Sequence, residues 1–197
     1  MPKIVDHHKR RELIAKSTWD IISQKGIEQA TTRRIAEETG ISQSALRYYF
    51  PTRKELLTFA MDLLKDKVES RLKIIWEKDI PVLEKVVQLL MEITPYSEIS
   101  RKEMEVWFAF ITHCRKEEGF DLSYDDVIKV IELALTMLEE NDLLRQEVSR
   151  DMELEKLYSV IDGLAIHALF HPERYSPSYI RSIIENHLMS MVDIDEQ

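Results

Sequence analysis

The sequence predicts an all-α protein of about nine helices. A three-helix head containing a helix-turn-helix is expected over residues 1–52, and a larger helical body over residues 53–197. Three observations carry this. Apolar residues recur at helical spacing along nearly the whole chain, and no stretch shows sustained apolar–polar alternation. The 4 glycines and 6 prolines fall almost entirely at joints between periodic segments, which is how a helical chain is punctuated. With 197 residues, 44% of them hydrophobic, a sizeable core is within reach.

Residues 1–8, with Lys3, His7 and His8, form a polar lead-in that is either a frayed terminus or a basic arm, and Asp6 is placed to cap the first helix. That helix, about Lys9 to Lys25, puts Ile14, Thr18, Ile21 and Ile22 on one stripe and stops at Gly26, with Trp19 as a packing residue.

The stretch Thr31–Lys54 reads as two short helices joined by a tight turn. Thr31 caps the first, whose inward residues are Ile35 and Ala36. Gly40 takes the left-handed position that a Cβ resists. Ser42 caps the second helix, Ile41, Leu46 and Phe50 supply its buried side, and Pro51 ends it. Ser44, Arg47 and Tyr48 are left pointing outward, with Gln43 and Ala45 at the helix tip. A short exposed helix tipped with Gln, Ser and Arg has the chemistry of a recognition helix in a DNA major groove: Gln and Arg pair with base edges, and Tyr and Thr hydroxyls suit phosphates. The same spacing also fits an ordinary helical hairpin with a solvated polar face.

The next helix, capped by Thr52, runs to about Ile75 on the stripe Leu56, Phe59, Ala60, Leu63, Leu64 and Val68, and its first turn with Arg53 and Lys54 suits a phosphate. Pro81 is expected to open a helix to Ile93. Another is expected from about Ser100 to Glu117, whose Met- and aromatic-rich side fits either core packing or a ligand cavity. Gly119 breaks that run. Further helices are expected over Ser123–Asn141, Asp151–His171 and Pro177–Met191, and the tail from Val192 is expected to fray. Gly163, in mid-helix, costs about 1 kcal/mol relative to alanine, so close approach of another helix is the expected compensation. The last two helices carry enough apolar surface to pack on a second copy as a four-helix interface, or to complete a monomer core.

Overall charge is −9, yet residues 1–55 hold 11 Lys and Arg against 7 Asp and Glu, while the remainder holds 16 against 29. A basic head on an acidic body suits a DNA reader whose other part stays off the phosphates. The single cysteine, Cys114, excludes an intrachain disulfide and is expected to be a buried, inert thiol in a reducing cytoplasm. The N-terminus carries no hydrophobic signal region and no run approaches a membrane span, so no membrane partner is expected. No phosphate loop, zinc-protease motif or nucleophile elbow occurs, so neither an enzyme nor a cofactor is expected. His167 and His171, one turn apart, fit a metal pair or, more ordinarily, a core histidine and a capping one; no metal is assigned.

The run GIEQATTRRIAEETGISQSALRYYFPTRKELL, Gly26 to Leu57, resembles the TetR family of bacterial transcriptional repressors. The ending DGLAIHALFHPERYSPSYI, Asp162 to Ile180, looks like the C-terminal domain of regulators similar to the choline-responsive betaine regulators. The resemblance implies DNA contact at Thr32, Arg33, Ser42, Gln43, Ser44, Ala45, Arg47, Tyr48, Tyr49 and Arg53. Arg33 and Gln43 are expected at base edges, and Thr32, Tyr49 and Arg53 at phosphates. The sequence departs from the family pattern at Arg47, Ser44 and Lys54, where tyrosine, glycine and glutamate are usual. The resemblance further implies a cytoplasmic homodimer on a palindromic double-stranded operator. It implies release by a small-molecule effector that shifts the helix beginning at Thr52. Candidate effector contacts are Met61, Trp76, Met91, Trp107, Phe110, His113, Tyr158 and Asp162, where aromatic rings around a buried acid suit a cation. The rival reading is a helical small-molecule-binding or adaptor protein without sequence-specific DNA binding.

Overall fold

The computed structural model describes residues 7–114, 126–145, 147 and 149–193; of Cys114 only the backbone is described, so its expected burial lies outside the described side chains. Asp6, Gly119 and the last four residues also lie outside. Among the described residues the secondary structure is helical: α1 (His7–Lys25), a 3-10 turn (Ile27–Gln29), α2 (Thr32–Thr39), α3 (Gln43–Tyr49), α4 (Arg53–Trp76), α5 (Val82–Glu92), α6 (Glu98–Cys114), α7 (Asp126–Glu140), α8 (Arg150–Phe170) and α9 (Pro177–Met191). The one departure is an isolated antiparallel bridge between Leu144 and Val192.

Several expected boundaries move. α1 starts at His7 instead of Lys9, and α6 spans Glu98–Cys114 instead of Ser100–Glu117, its expected end falling among residues not described. Pro81 stands just before α5 in an extended conformation (φ −51°, ψ 141°), its carbonyl accepting from Lys85, so it caps the helix rather than opening it. Pro177 does occupy the first turn of α9, behind Ser176, whose hydroxyl accepts from the Tyr179 amide.

The chain divides into two compact units, Met1–Lys67 with Glu105–Phe120, and Val68–Met104 with Asp121–Gln197. The boundary expected after residue 52 therefore moves into α4. The physical reason is the inner face of that helix: Leu56, Leu57, Ala60 and Met61 are all buried, as are Ile14, Ile35, Leu46 and Phe50 of the same unit. Two long-range ties seal it. The Trp19 indole donates to the Ala60 carbonyl (2.9 Å), and the Arg11 guanidinium lies over the rings of Phe50 (4.9 Å) and Phe59 (4.2 Å).

The second unit packs α7 against α5 and α8, and α9 against α5 and α8. Its core runs through Val86, Leu89 and Leu90 of α5, Ile131, Leu135 and Leu138 of α7, Leu157 and Ile161 of α8, and Ile180, Ile184 and Leu188 of α9. A buried polar knot ties α4 into this unit. Arg71 donates to Glu92 (2.5 Å) and in a fork to both carboxylate oxygens of Glu103 (3.1 and 2.6 Å), while the Tyr96 hydroxyl donates to Glu92 (3.2 Å). Burial pulls the guanidinium down, but the two glutamates outweigh it and hold its pKa above the ordinary arginine value. Burial pushes the Tyr96 phenol up, and Glu92 adds to that.

Gly163 departs from expectation. A Cβ placed there meets nothing within 4 Å among the described residues, so none of the described helices of the chain approaches it closely.

Candidate nucleic-acid interface

The helix-turn-helix is built from local chemistry. Thr31 is extended, and its hydroxyl accepts from the Arg34 amide (3.3 Å), starting α2. Gly40 sits at φ 64°, ψ 31°, the left-handed conformation that lets its N–H and that of Ile41 return to the last carbonyls of α2. Ser42 starts α3 by accepting from the Ala45 amide (3.1 Å). Leu46 and Phe50 are buried, at 0% and 1% exposure, and Ile41 is half-buried rather than fully so. Anchoring these two residues turns Gln43, Ser44, Arg47 and Tyr48 outward, all four exposed.

The other residues expected at DNA divide. Ser42 is exposed, its hydroxyl hydrogen-bonded to that of Ser44 (2.9 Å); Ala45 and Tyr49 are half-buried beside them. Thr32 is half-buried, and Arg33 is exposed in a one-turn ion pair with Glu37 (2.9 Å). That pair leaves Arg33 able to swing toward an anion, since exposed one-turn pairs are weak.

Arg53, expected at a phosphate, makes its contacts within the head. Its guanidinium faces inward, donating to the carbonyls of Ile27 (2.7 Å) and Ala30 (3.1 Å) and lying 3.4 Å from the Nε2 of His113. Those bonds hold the turn between α1 and α2 against the start of α4. The side chain is engaged in fastening the head. Sequence reasoning missed this because both acceptors are backbone carbonyls more than 20 positions away.

The expected effector residues are divided between the two units. Met61, Trp107, Phe110 and His113 belong to the first unit, while Trp76, Met91, Tyr158 and Asp162 belong to the second. His113 is buried and spends its ring on Glu28 (3.2 Å) and Arg53. Trp107 is half-buried with the Lys65 ammonium over its ring (5.4 Å), and Met61 and Phe110 are buried. Trp76 is 45% exposed, because it closes α4 where the chain turns away, and Lys85 donates to its carbonyl. Met91 and Tyr158 pack on the core, and Asp162 is half-buried rather than buried. A surface cleft in the second unit is lined by Arg145, Ser149, Met152, Glu153, Lys156 and Ser190 among others, and none of the eight expected residues reaches it. His167 stacks on Tyr175 (5.9 Å, 9° between planes), and among the described residues no group of three or more His, Cys, Asp or Glu is placed to hold a metal. No helix among them is long and apolar enough to cross a membrane.

A capped two-helix motif with an exposed, polar second helix, continued by a long helical body, defines a helix-turn-helix regulator of transcription. Residues 14–58 match the family described as bacterial regulatory proteins of the tetR family, and residues 82–193 match the C-terminal domain of BetI-type transcriptional repressors. The chain is 45% identical over 97% of its length to the HTH-type transcriptional regulator PksA of Bacillus subtilis, covering 94% of that protein. The chain thus belongs to the TetR family, with a BetI-type C-terminal domain. Two solved structures share the fold. A TetR transcription regulator from Haloarcula marismortui superposes with a TM-score of 0.79 at 18% identity, over 94% of this chain and all of that one. A transcriptional regulator from Saccharomonospora viridis in complex with choline gives 0.78 at 22%, over 95% and 100%.

Proposed function

We propose that this TetR-family regulator is a cytoplasmic homodimeric repressor that reads a palindromic operator with α3 and leaves it when a small molecule binds the C-terminal body. The observation that carries the DNA part is the inside-out contrast of α3. Leu46 and the adjoining Phe50 are buried, while Gln43, Ser44 and Arg47 stand in solvent at the end of a capped helix. Gln43 and Arg33 are assigned to base edges, Thr32 and Tyr49 to phosphates, and Ser42, Ser44, Ala45, Arg47 and Tyr48 to the surrounding contact surface.

Dimerisation rests on α8 and α9. Met152, Ile166, Phe170, Tyr179 and Met189 are exposed apolar residues on these two helices, and the open face at Gly163 leaves room for a second backbone. One short reading helix per chain contacts few bases; two related by a dyad read a palindrome. For the effector, the choline bound by the Saccharomonospora viridis regulator supports a cationic ligand here as well, and coupling of roughly 1–3 kcal/mol between ligand and DNA is typical of such switches.

The test is DNA binding by the full chain against fragments of its own upstream region. Affinity is expected to fall steeply with salt, since each neutralised phosphate releases counterions. Gln43→Ala is expected to relax sequence choice with little loss on scrambled DNA. Equal affinity for footprinted and scrambled duplexes overturns the reading and favours an adaptor without sequence-specific binding. Titration calorimetry with cationic and acidic metabolites tests the effector class, and binding of acidic ones alone removes the cationic assignment.

A further inference from the structure

The first residue of α1 and the last turn of α3 meet in an aromatic cluster. The His7 ring lies 6.0 Å from that of Tyr48 and 5.7 Å from that of Tyr49, and the two tyrosines stand edge-on to each other at 5.4 Å. Tyr48 is 73% exposed, although an aromatic ring of that size ordinarily gains by burial. His8, the neighbouring histidine, is taken by Glu12 (2.9 Å), which also meets Lys16. Among the described residues no carboxylate pairs with His7, and neither phenol hydroxyl donates to a protein acceptor. Three polar tips with hydrogens to donate are therefore gathered at the edge of the surface assigned to DNA, on rings that brace one another.

We propose that His7 is a DNA-contact residue that extends the interface from α3 onto α1, where its imidazolium binds the same backbone phosphate as Tyr48 or Tyr49. This rests on the DNA-reading assignment of α3 and goes beyond it. A phosphate diester offers only acceptors and a negative charge, and the cluster offers two phenol donors, ring N–H donors and, on protonation, a positive charge. Tyr48 and Tyr49 of α3 face the His7 ring, and along the chain Asp6 directly precedes it while His8, Lys9, Arg10 and Arg11 follow. Glu12 is occupied by His8 and Lys16, and a bound phosphate brings a negative charge to the protonated ring.

The experiment uses the full chain and a duplex recovered by in vitro selection from a random pool, with wild type compared with His7→Phe and His7→Arg. Phe keeps the ring packing but removes the charge and the donors; Arg restores both. Wild type is expected to bind more tightly as pH falls from about 8 to about 6, the range in which histidines gain a proton. His7→Phe is expected to bind several-fold more weakly at the acid end, with a flatter pH profile and a salt slope smaller by about 1 per bound chain, on selected and unselected duplexes alike. His7→Arg is expected to bind well across the whole pH range. His7→Phe with wild-type pH profile and salt slope overturns the proposal, whether or not its affinity drops, because packing alone then explains the cluster. Wild type that fails to distinguish selected from unselected DNA overturns the reading of α3 itself, which is a separate outcome.

Discussion

The indole N–H of Trp19 in α1 donates to the carbonyl of Ala60 in α4, 2.9 Å away and 41 positions later in the chain. Trp19 is buried and the Lys67 ammonium lies over its ring (4.7 Å), so the bond forms out of water and fixes the register between the two helices. Trp19→Phe keeps most of the volume and removes the donor. Loss of about 1 kcal/mol is expected in urea denaturation of the full chain, whereas Trp19→Ala adds a cavity and costs about 3–5 kcal/mol.

Arg53→Lys separates charge from geometry. A lysine keeps the positive charge near the DNA end of α4 but cannot reach the Ile27 and Ala30 carbonyls together. The expected result is a loss of about 1–2 kcal/mol in thermal or chemical unfolding. Unchanged stability with weakened DNA binding would return Arg53 to the phosphate role first expected of it.

Arg71→Met removes the cation from between Glu92 and Glu103, whose side chains are 7% and 11% exposed. Two carboxylates then share a buried site without a cation, with only the Tyr96 hydroxyl still donating to Glu92. The expected cost near neutral pH is about 3 kcal/mol, and it shrinks as pH falls, because protonation discharges the pair. Denaturation of wild type and variant at two pH values checks both statements.

His187 supplies a pH dependence of opposite sense. Burial pushes its pKa below 6.5; Glu153, 3.9 Å from its Nε2, raises it, and Lys156 lowers it again. With the folded value below the unfolded one, the unfolded chain takes up the proton first, and stability falls as pH drops through and below 6.5. His187→Gln is expected to narrow the stability difference between about pH 7.5 and pH 5 measured by urea denaturation.

Local signals were legible from the sequence. Thr31, Gly40 and Ser42 act through partners at most five positions away, and their residue types name the backbone conformation needed. The exposed set Gln43, Ser44, Arg47 and Tyr48 came from placing Leu46 and Phe50 inside. What was hidden depends on distant pairing. Arg53 reads as a DNA cation until the carbonyls it serves are brought beside it, and the Arg71 knot joins residues up to 32 positions apart with no spacing rule. The effector candidates are methionines, rings and a carboxylate along apolar stripes. Such stripes do not distinguish a side chain lining a cavity from one such as His113, whose ring serves Glu28.

The placement of Leu56, Leu57, Ala60 and Met61 in the first unit's core bears on protein engineering. A hybrid regulator joined just after Pro51 inherits the reading helix but leaves Trp19 without its acceptor and the carbonyls of Ile27 and Ala30 without their arginine. To transplant DNA specificity onto another body, the donor segment has to carry α4 to about Lys67, and the recipient has to supply a match for His113.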